Sequence, residues 1–213
     1  MDHRQKLLGY YNYTVILTYT GMLTGFIGII YAFEGNPFKA VICLMLAGLC
    51  DMFDGALAST KVRTQQEKCF GIQIDSFSDL VCFGVLPAMI VYSQNRGRTI
   101  VLASCALYLL CALIRLAYFN VDEQERQQSS SASREIYYGL PVTMSALFLP
   151  AVHGAVCLFS RKPTVVPTAV LLMMAILFLL PFPLRKPKLI GKLCVILCGI
   201  MEIAFVLFAC DGV

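Results

Sequence analysis

The sequence predicts an all-α fold, a polytopic transmembrane helical bundle of about seven spans in one domain covering residues 1–213. Hydrophobic residues make up 58% of the chain and charged residues only 14%, whereas charged residues average about 25% in soluble proteins. The apolar residues are also grouped in stretches of about 20, which is the length that a helix needs to cross a bilayer. Together these observations exclude an ordinary soluble domain.

Seven apolar stretches define the predicted spans. Their boundaries are 13–33, 38–58, 72–93, 98–119, 138–159, 164–182 and 189–210. Pro37 suits the first turn of the second helix, where the missing amide hydrogen of proline removes no helical bond. Polar loops are expected at residues 59–70 and 120–137. The serine- and glutamine-rich centre of the longer loop is typical of a linker, and a lid over a site is the alternative.

Basic residues predict how the helices are oriented, because lysine and arginine concentrate in cytoplasmic loops. With the N-terminus inside, eleven of them lie on the inner side and five on the outer side, so we expect the C-terminus outside. The net charge of +4 is small and gives no indication of nucleic-acid binding. Nine of the ten cysteines lie in predicted spans and no C-x-x-C pair is present, which argues against a zinc or redox centre.

The most informative feature is a set of four aspartates within or beside the second and third spans. They are Asp51, Asp54, Asp75 and Asp79. An ionised carboxylate at membrane depth is costly, so such a group is a functional hypothesis by default. The two spans are antiparallel, which places both pairs at the cytoplasmic end of one hairpin, with Asp75 and Asp79 in the first turns of the third span. Carboxylate oxygens are ligands that Mg²⁺ and Mn²⁺ prefer, so we predict a site for one or two divalent ions.

Each pair of aspartates shares a helix face with residues that have little or no side chain. The two stripes are Asp51, Asp54, Gly55, Ala58 and Gly71, Asp75, Asp79. Small residues let a ligand approach the backbone, so the pattern predicts a carboxylate-walled pocket for a phosphate-bearing ligand. Solvent-facing aspartates at helix ends, or an ion pathway through the membrane, are the alternatives; no internal repeat of the kind common in transporters is evident.

The segment D-M-F-D-G-A-L-A-S, followed after eleven residues by G-I-Q-I-D-S-F-S-D, resembles the signature of the CDP-alcohol phosphatidyltransferases. That signature is D-x-x-D-G-x-x-A-R, a short gap, then G-x-x-x-D-x-x-x-D. Ser59 stands where the family usually has arginine, and Lys61, Arg63 or Lys68 are candidate replacements. Three further segments, L-V-C-F-G-V-L-P-A, I-R-L-A-Y-F-N and Y-Y-G-L-P-V-T, resemble the phosphatidylserine synthase branch. The resemblance covers about residues 10–190, the expected catalytic core, and leaves the extra helix at 189–210 without a role.

The resemblance implies transfer of a phosphatidyl group from CDP-diacylglycerol to L-serine, giving phosphatidylserine and CMP. It implies that all four aspartates bind Mg²⁺ or Mn²⁺ and that Asp79 also acts as the general base. The candidate substrate-binding residues are Gly55, Ala58, Ser59, Lys61, Gly71, Arg115, Asn120 and Arg134. The family also implies a homodimer among the lipids of the cell membrane, and the charge bias predicts an active site that faces the cytoplasm.

Arg115 is an intramembrane charge that also needs a partner. It is either a cation for the serine carboxylate or lipid phosphate, or a side chain that snorkels to the interface or pairs with an acidic neighbour. Arg134 in the long loop is a second candidate for the same cation, and Asn120 either orients substrate or caps a helix end. Two alternatives for function stay open: the same chemistry with inositol or glycerol 3-phosphate as acceptor, and a divalent-cation transporter. A phosphorylated acceptor would call for a denser basic pocket than Arg115 and Arg134 supply.

Overall fold

The computed structural model describes residues 8–129, 136–159, 165–185 and 189–210. These residues form helices connected by short segments, which confirms the predicted all-α membrane bundle. The helices are α1 (Ile16–Phe33), α2 (Pro37–Ala58), α3 (Gln65–Asp79), α4 (Leu86–Ser93), α5 (Thr99–Ser129), α6 (Ser145–Leu158), α7 (Val165–Leu179) and α8 (Leu189–Cys210). Two short strands, β1 (Ile136–Tyr138) and β2 (Pro183–Arg185), form an antiparallel pair.

Each of the seven predicted apolar stretches contains a helix. Four helical segments are long and apolar enough to cross a membrane, namely Tyr13–Phe33, Pro37–Ala58, Gln65–Ser93 and Thr99–Glu125. Three shorter apolar helices follow at Val142–Leu158, Val165–Leu179 and Cys194–Ala209. The predicted start of the second span is also confirmed, because Pro37 opens α2 and the Lys39 amide donates to the Asn36 side chain at 3.3 Å.

The third span differs from the prediction at its N-terminal end. We expected a loop at 59–70 and a helix starting near Gly71, but α3 begins at Gln65. Thr64 and Glu67 form a capping box, in which each side chain binds the backbone amide of the other, and this satisfies amides that a helix start leaves unpaired. Asp75 and Asp79 therefore lie ten or more residues inside the helix, not in its first turns.

A π-helical segment at Leu80–Val85 joins α3 to α4. Pro87 follows it, and a proline ring clashes with the carbonyl of the fourth preceding residue while donating no hydrogen bond to it. That carbonyl belongs to Phe83, and the Tyr108 hydroxyl donates to it at 2.6 Å. The π-helical segment starts directly after Asp79, and its wider turn accommodates the proline ring. The buried Tyr108 supplies the hydrogen bond that the Phe83 carbonyl lacks, so the span continues past Pro87.

The fourth span is longer than predicted. We expected it to end at residue 119, but α5 continues to Ser129. Residues 120–129 are polar except for Val121 and contain neither glycine nor proline, and several of them are good helix formers. Asn120 consequently lies inside a helix, so the alternative that it caps a helix end is wrong.

The start of the fifth span is also corrected. Residue 138, its predicted first residue, ends strand β1, and α6 begins only at Ser145 after a short 3₁₀ turn at Val142–Met144. In the strand pair Ile136 lies opposite Arg185 and Tyr138 opposite Pro183. This pairing brings the entry to α6 next to the exit from α7, on the side of the bundle where α5 carries Arg115.

Helix α1 packs closely on its neighbours because glycines line its contact face. A Cβ built on Gly25 would lie 2.5 Å from Cys82 Sγ, and one on Gly28 would lie 2.8 Å from the Cβ of Cys43. Residues larger than glycine would separate the helices. The approach holds α1 against both α2 and the π-helical segment, beside the two helices that carry the aspartates.

Candidate functional site

The carboxylates of α2 and α3 converge, as the sequence predicts. Carboxylate oxygens of Asp51, Asp54 and Asp75 all lie within 4.8 Å of one another. The Asp79 carboxyl lies within hydrogen-bonding distance of Asp51, and the Asp75 carboxyl within that of Asp54. All four side chains are half-buried. The two helices thus contribute two carboxylates each to one cluster.

The chemistry of this cluster fits a bound cation. Its donors are all carboxylate oxygens, the ligand type preferred by Mg²⁺ and Mn²⁺. Within the described part of the chain the one salt bridge joins Lys61 to Glu67, so no lysine, arginine or histidine there pairs with an aspartate of the cluster. Because adjacent carboxylates repel when ionised, a divalent ion is the direct way to stabilise the four groups together.

Helix α1 also contributes to the cluster, which sequence reasoning missed. The Thr18 hydroxyl donates to Asp54 Oδ2 at 3.3 Å, and the Ser78 hydroxyl donates to the Thr18 carbonyl at 3.3 Å. The glycines at positions 21, 25 and 28 are the one signal in the sequence for this contact, since they indicate that a neighbouring helix approaches α1 closely. Their spacing alone does not identify that neighbour.

The small residues of the two stripes leave space next to the carboxylates. A Cβ built on Gly55 would meet no atom within 4 Å, and Ala58 is half-buried one turn further along α2. On α3 the site of a Gly71 side chain is already occupied, because Arg63 Nη1 lies 3.3 Å from a Cβ built there. The face of α2 at Gly55 therefore borders open space, and on α3 the guanidinium group of Arg63 lies next to Gly71.

The end of α2 and the start of α3 form hydrogen bonds with residues that precede α1. The Tyr10 hydroxyl donates to the Gln66 side chain at 3.0 Å, and Asn12 Nδ2 donates to Glu67 Oε1 at 3.2 Å. Nearby, the Tyr13 hydroxyl lies 3.1 Å from the Thr60 hydroxyl. These contacts hold the end of α2 and the start of α3 against the segment that precedes α1.

Arg115 lies beside a separate cavity. Its side chain is only 7% exposed and its guanidinium carbon lies 5.6 Å from the centre of the Phe119 ring. The cavity has a volume of about 380 Å³, and its lining residues are Arg115, Tyr118, Tyr138, Phe178, Leu179, Leu180 and Pro181. This burial differs from that of a snorkelling side chain, which extends its charge to the membrane surface.

The G-L-P segment meets Arg115 at this cavity. Gly139 has φ +75, a conformation that favours glycine. A Cβ built there would lie 3.0 Å from the Leu180 carbonyl and 3.6 Å from Arg115 Nε. The segments I-R-L-A-Y-F-N and Y-Y-G-L-P-V-T, which are distant in sequence, are thus neighbours around one space.

Asn120 connects the same helix to the carboxylate cluster. Its Oδ1 atom accepts a hydrogen bond of 2.6 Å from the hydroxyl of Ser76, the residue after Asp75. Arg115 precedes Asn120 by five residues, roughly 7.5 Å along the helix axis. Helix α5 therefore carries both the arginine that lines the cavity and the side chain that contacts α3, on faces about 140° apart. Arg134, the second predicted cation, lies outside the described residues.

A family model described as CDP-alcohol phosphatidyltransferase matches residues 11–209. The chain belongs to the CDP-alcohol phosphatidyltransferase family. The match extends through α8, beyond residue 190, where the resemblance of the individual motifs ends. The division into a catalytic core at about 10–190 and an extra helix stays a prediction.

Curated relatives of this family are similar over roughly two thirds of the chain. The CDP-diacylglycerol–serine O-phosphatidyltransferase of Saccharomyces cerevisiae is 34% identical over 143 residues, which cover 62% of this chain and 51% of that protein. The archaetidylserine synthase of Methanothermobacter thermautotrophicus is 28% identical over 154 residues, covering 72% and 62%. The CDP-diacylglycerol–serine O-phosphatidyltransferase of Helicobacter pylori J99 is 32% identical over 140 residues, covering 64% and 53%. The chain thus spans about half to two thirds of the length of these relatives.

The departure from the family signature lies at the end of α2. Ser59, in place of the usual arginine, is exposed, and its hydroxyl donates to the Ala56 carbonyl at 2.7 Å. Lys61, a predicted substitute, forms an ion pair with Glu67 at 3.4 Å. Its charge is therefore partly compensated by a residue that also caps α3. The assignment of Ser59 and Lys61 to substrate binding stays a prediction.

Proposed function

We propose that the protein transfers the phosphatidyl group of CDP-diacylglycerol to L-serine and releases CMP. The observation that carries this proposal is the convergence of Asp51, Asp54 and Asp75 from two helices of a chain in the CDP-alcohol phosphatidyltransferase family. Relatives named for CDP-diacylglycerol and serine support the choice of donor and acceptor. The reaction belongs at the inner leaflet of the cell membrane, with the pocket open to the cytoplasm and the protein as a homodimer.

The four aspartates would hold one or two Mg²⁺ or Mn²⁺ ions. A bound ion neutralises the charge of a diphosphate and stabilises its leaving group. Asp51 and Asp54 on α2 and Asp75 on α3 would be its ligands. Thr18 donates a hydrogen bond to one oxygen of Asp54, which helps to hold this carboxylate in the cluster. Gly55 and Ala58 leave room for the cytidine diphosphate against α2.

Asp79 is the general base of the proposed reaction. Its carboxylate accepts the proton of the serine hydroxyl while the hydroxyl oxygen bonds to the phosphorus that carries diacylglycerol. The bond from this phosphorus to the bridging oxygen of CMP breaks, and CMP leaves with the electron pair. A carboxylate within reach can perform such a transfer, and Asp79 lies at the membrane-facing end of the α3 stripe, adjacent to Asp51.

Arg115 is the residue best suited to bind the carboxylate of serine. A buried guanidinium group binds a carboxylate with paired, charge-assisted hydrogen bonds, and the cavity beside Arg115 is large enough for a small amino acid. One arginine among apolar and tyrosine side chains suits a single carboxylate better than a phosphorylated acceptor. Asn120 supports this assignment because it ties α5 to the residue after Asp75. Arg134 remains a candidate for the same charge.

CMP release tests the proposal. The purified protein in detergent would receive Mn²⁺ or Mg²⁺ and CDP-diacylglycerol, with serine, inositol or glycerol 3-phosphate as acceptor. We expect CMP with serine, no CMP without an acceptor, and loss of release when the ions are removed by a chelator. CMP release with inositol or with glycerol 3-phosphate, but not with serine, would identify that compound as the acceptor in place of serine. Absence of CMP with every acceptor, together with metal binding, would instead favour the transporter alternative.

A further inference from the structure

We infer that Arg63 binds the diphosphate of CDP-diacylglycerol and performs the task for which this chain lacks an arginine at position 59. The inference rests on the proposed function and adds one residue to it. It concerns the cytoplasmic end of the pocket, where α2 ends, the connection of residues 59–64 crosses, and α3 begins.

The position of Arg63 is the first argument. Its Nη1 atom lies 3.3 Å from the point where a Gly71 side chain would begin, so the guanidinium group lies directly against the α3 backbone. Gly71 precedes Asp75 by four residues, which is about one helical turn and roughly 6 Å along the axis. The guanidinium group thus lies on the face of α3 that carries Asp75 and Asp79.

The charge of Arg63 is the second argument. Among the residues that the structure describes, Arg63 forms no ion pair and no hydrogen bond, although its side chain is half-buried. Lys61, two residues earlier, is paired with Glu67. Lys68 is exposed in the first turn of α3. It lies about one helical turn before Gly71 and is therefore farther from Asp75 than Gly71 is. Of the three cations in this region, Arg63 alone combines two properties among the described residues. It has no acidic partner, and it lies next to Gly71 on the face of α3 that carries Asp75 and Asp79.

The chemistry of the guanidinium group is the third argument. Its planar set of donors binds two phosphate oxygens at once, which a lysine ammonium group cannot do. A diphosphate that reaches the carboxylate cluster at one phosphate presents the other toward the cytoplasmic end of the pocket. The contacts of Tyr10 and Asn12 with Gln66 and Glu67 hold the start of α3 and the adjoining connection in place, so Arg63 is presented to the ligand with little further ordering.

The test compares Arg63→Ala with Lys61→Ala and Lys68→Ala in the CMP-release assay. We expect Arg63→Ala to raise the KM for CDP-diacylglycerol about tenfold to a hundredfold, the effect of losing a charged hydrogen bond. The KM for serine should stay within about twofold. CDP and cytidine serve as competing ligands, and the variant should lose affinity for CDP while its affinity for cytidine is unchanged. If the substitution displaced α3, the affinities for CDP and for cytidine would both fall.

A rescue variant separates the phosphate contact from a structural role. Adding Ser59→Arg to Arg63→Ala restores the arginine of the family signature and should recover most of the lost affinity for CDP. An unchanged KM for CDP-diacylglycerol in Arg63→Ala would overturn the inference, and so would an equal rise in Lys61→Ala or Lys68→Ala. These results require an active unaltered protein, whereas failure of the proposed function would appear as absence of CMP from that protein itself.

Discussion

The protein has carboxylates inside apolar helices in two regions, and they are arranged differently. In the first, aspartates of α2 and α3 meet with oxygens within 4.8 Å of one another. In the second, Glu202 lies within α8, where its Oε2 atom is buried and has no hydrogen-bond partner among the described residues. Around it α8 packs closely on α6, with the Phe205 ring 2.5 Å from a Cβ built on Gly154.

The difference shows what distinguishes a site from an isolated charge in a membrane helix. Both regions satisfy the rule that an ionisable residue at membrane depth indicates function, but among the described residues only the aspartates converge with other carboxylates. Gly199, about one turn before Glu202 on α8, also borders open space, yet Glu202 belongs to no potential metal-binding group among the described residues. Convergence therefore carries the functional interpretation, and burial of one charge does not.

The sharpest test of this comparison makes the same chemical change in both regions. Asp79→Asn and Glu202→Gln each replace a carboxylate by an amide of similar shape. We expect Asp79→Asn to lower kcat by about 10²- to 10⁴-fold, because the amide cannot accept the serine proton. Binding of Mn²⁺, followed by calorimetry, should be largely preserved through Asp51, Asp54 and Asp75. Full activity of Asp79→Asn would show that another group is the base.

The position of the carboxylate cluster could be predicted from the sequence because its signal is local. The spacing of Asp51 and Asp54, and of Asp75 and Asp79, fixes each pair on one helix face. Hydropathy predicted the apolar parts of α3 and α5 but not the polar turns by which these two helices exceed the predicted spans. Thr64-x-x-Glu67 is a helix-start signal in the sequence, and it lay in a stretch too polar to be assigned to a span.

Features that depend on long-range pairing could not be predicted from the sequence. The contact of Thr18 with Asp54 requires knowledge of which helix α1 packs against. The pairing of Ile136 with Arg185 joins segments about fifty residues apart, and neither strand is longer than three residues. The place of Arg115 beside Gly139 follows from that pairing, so the cavity could be identified only from the structure.

The next largest effect is expected at the cavity. Arg115→Ala should raise the KM for serine about tenfold to a hundredfold, since the serine carboxylate would lose a charged partner. Arg115→Lys keeps the charge without the planar donor set and should give a smaller rise. The KM for CDP-diacylglycerol is the internal control and should change little. Equal rises in both KM values would indicate that Arg115 stabilises the fold and does not bind serine.

A smaller effect is expected at the link between the two sites. Ser76→Ala and Asn120→Ala each remove the 2.6 Å hydrogen bond between α3 and α5. Each should lower kcat/KM for serine by roughly fivefold, the effect of about 1 kcal/mol. The double variant should be no worse than either single variant if the bond itself is what matters, because the two changes then remove one interaction. If the losses of kcat/KM in the two single variants multiplied in the double variant, the two residues would act independently.

The smallest effect on activity is expected at Glu202. Glu202→Gln should leave kcat and both KM values within about twofold, since among the described residues no hydrogen bond or ion pair joins Glu202 to the carboxylate cluster or the cavity. It should also raise the unfolding temperature in detergent by about 2 °C, because a buried carboxylate without a hydrogen-bond partner is costly and an amide costs less. Glu202→Ala is the matched control, as it removes the polar group but also leaves a cavity. A loss of activity in Glu202→Gln comparable to that of Asp79→Asn would erase the distinction between the two regions and give α8 a part in catalysis.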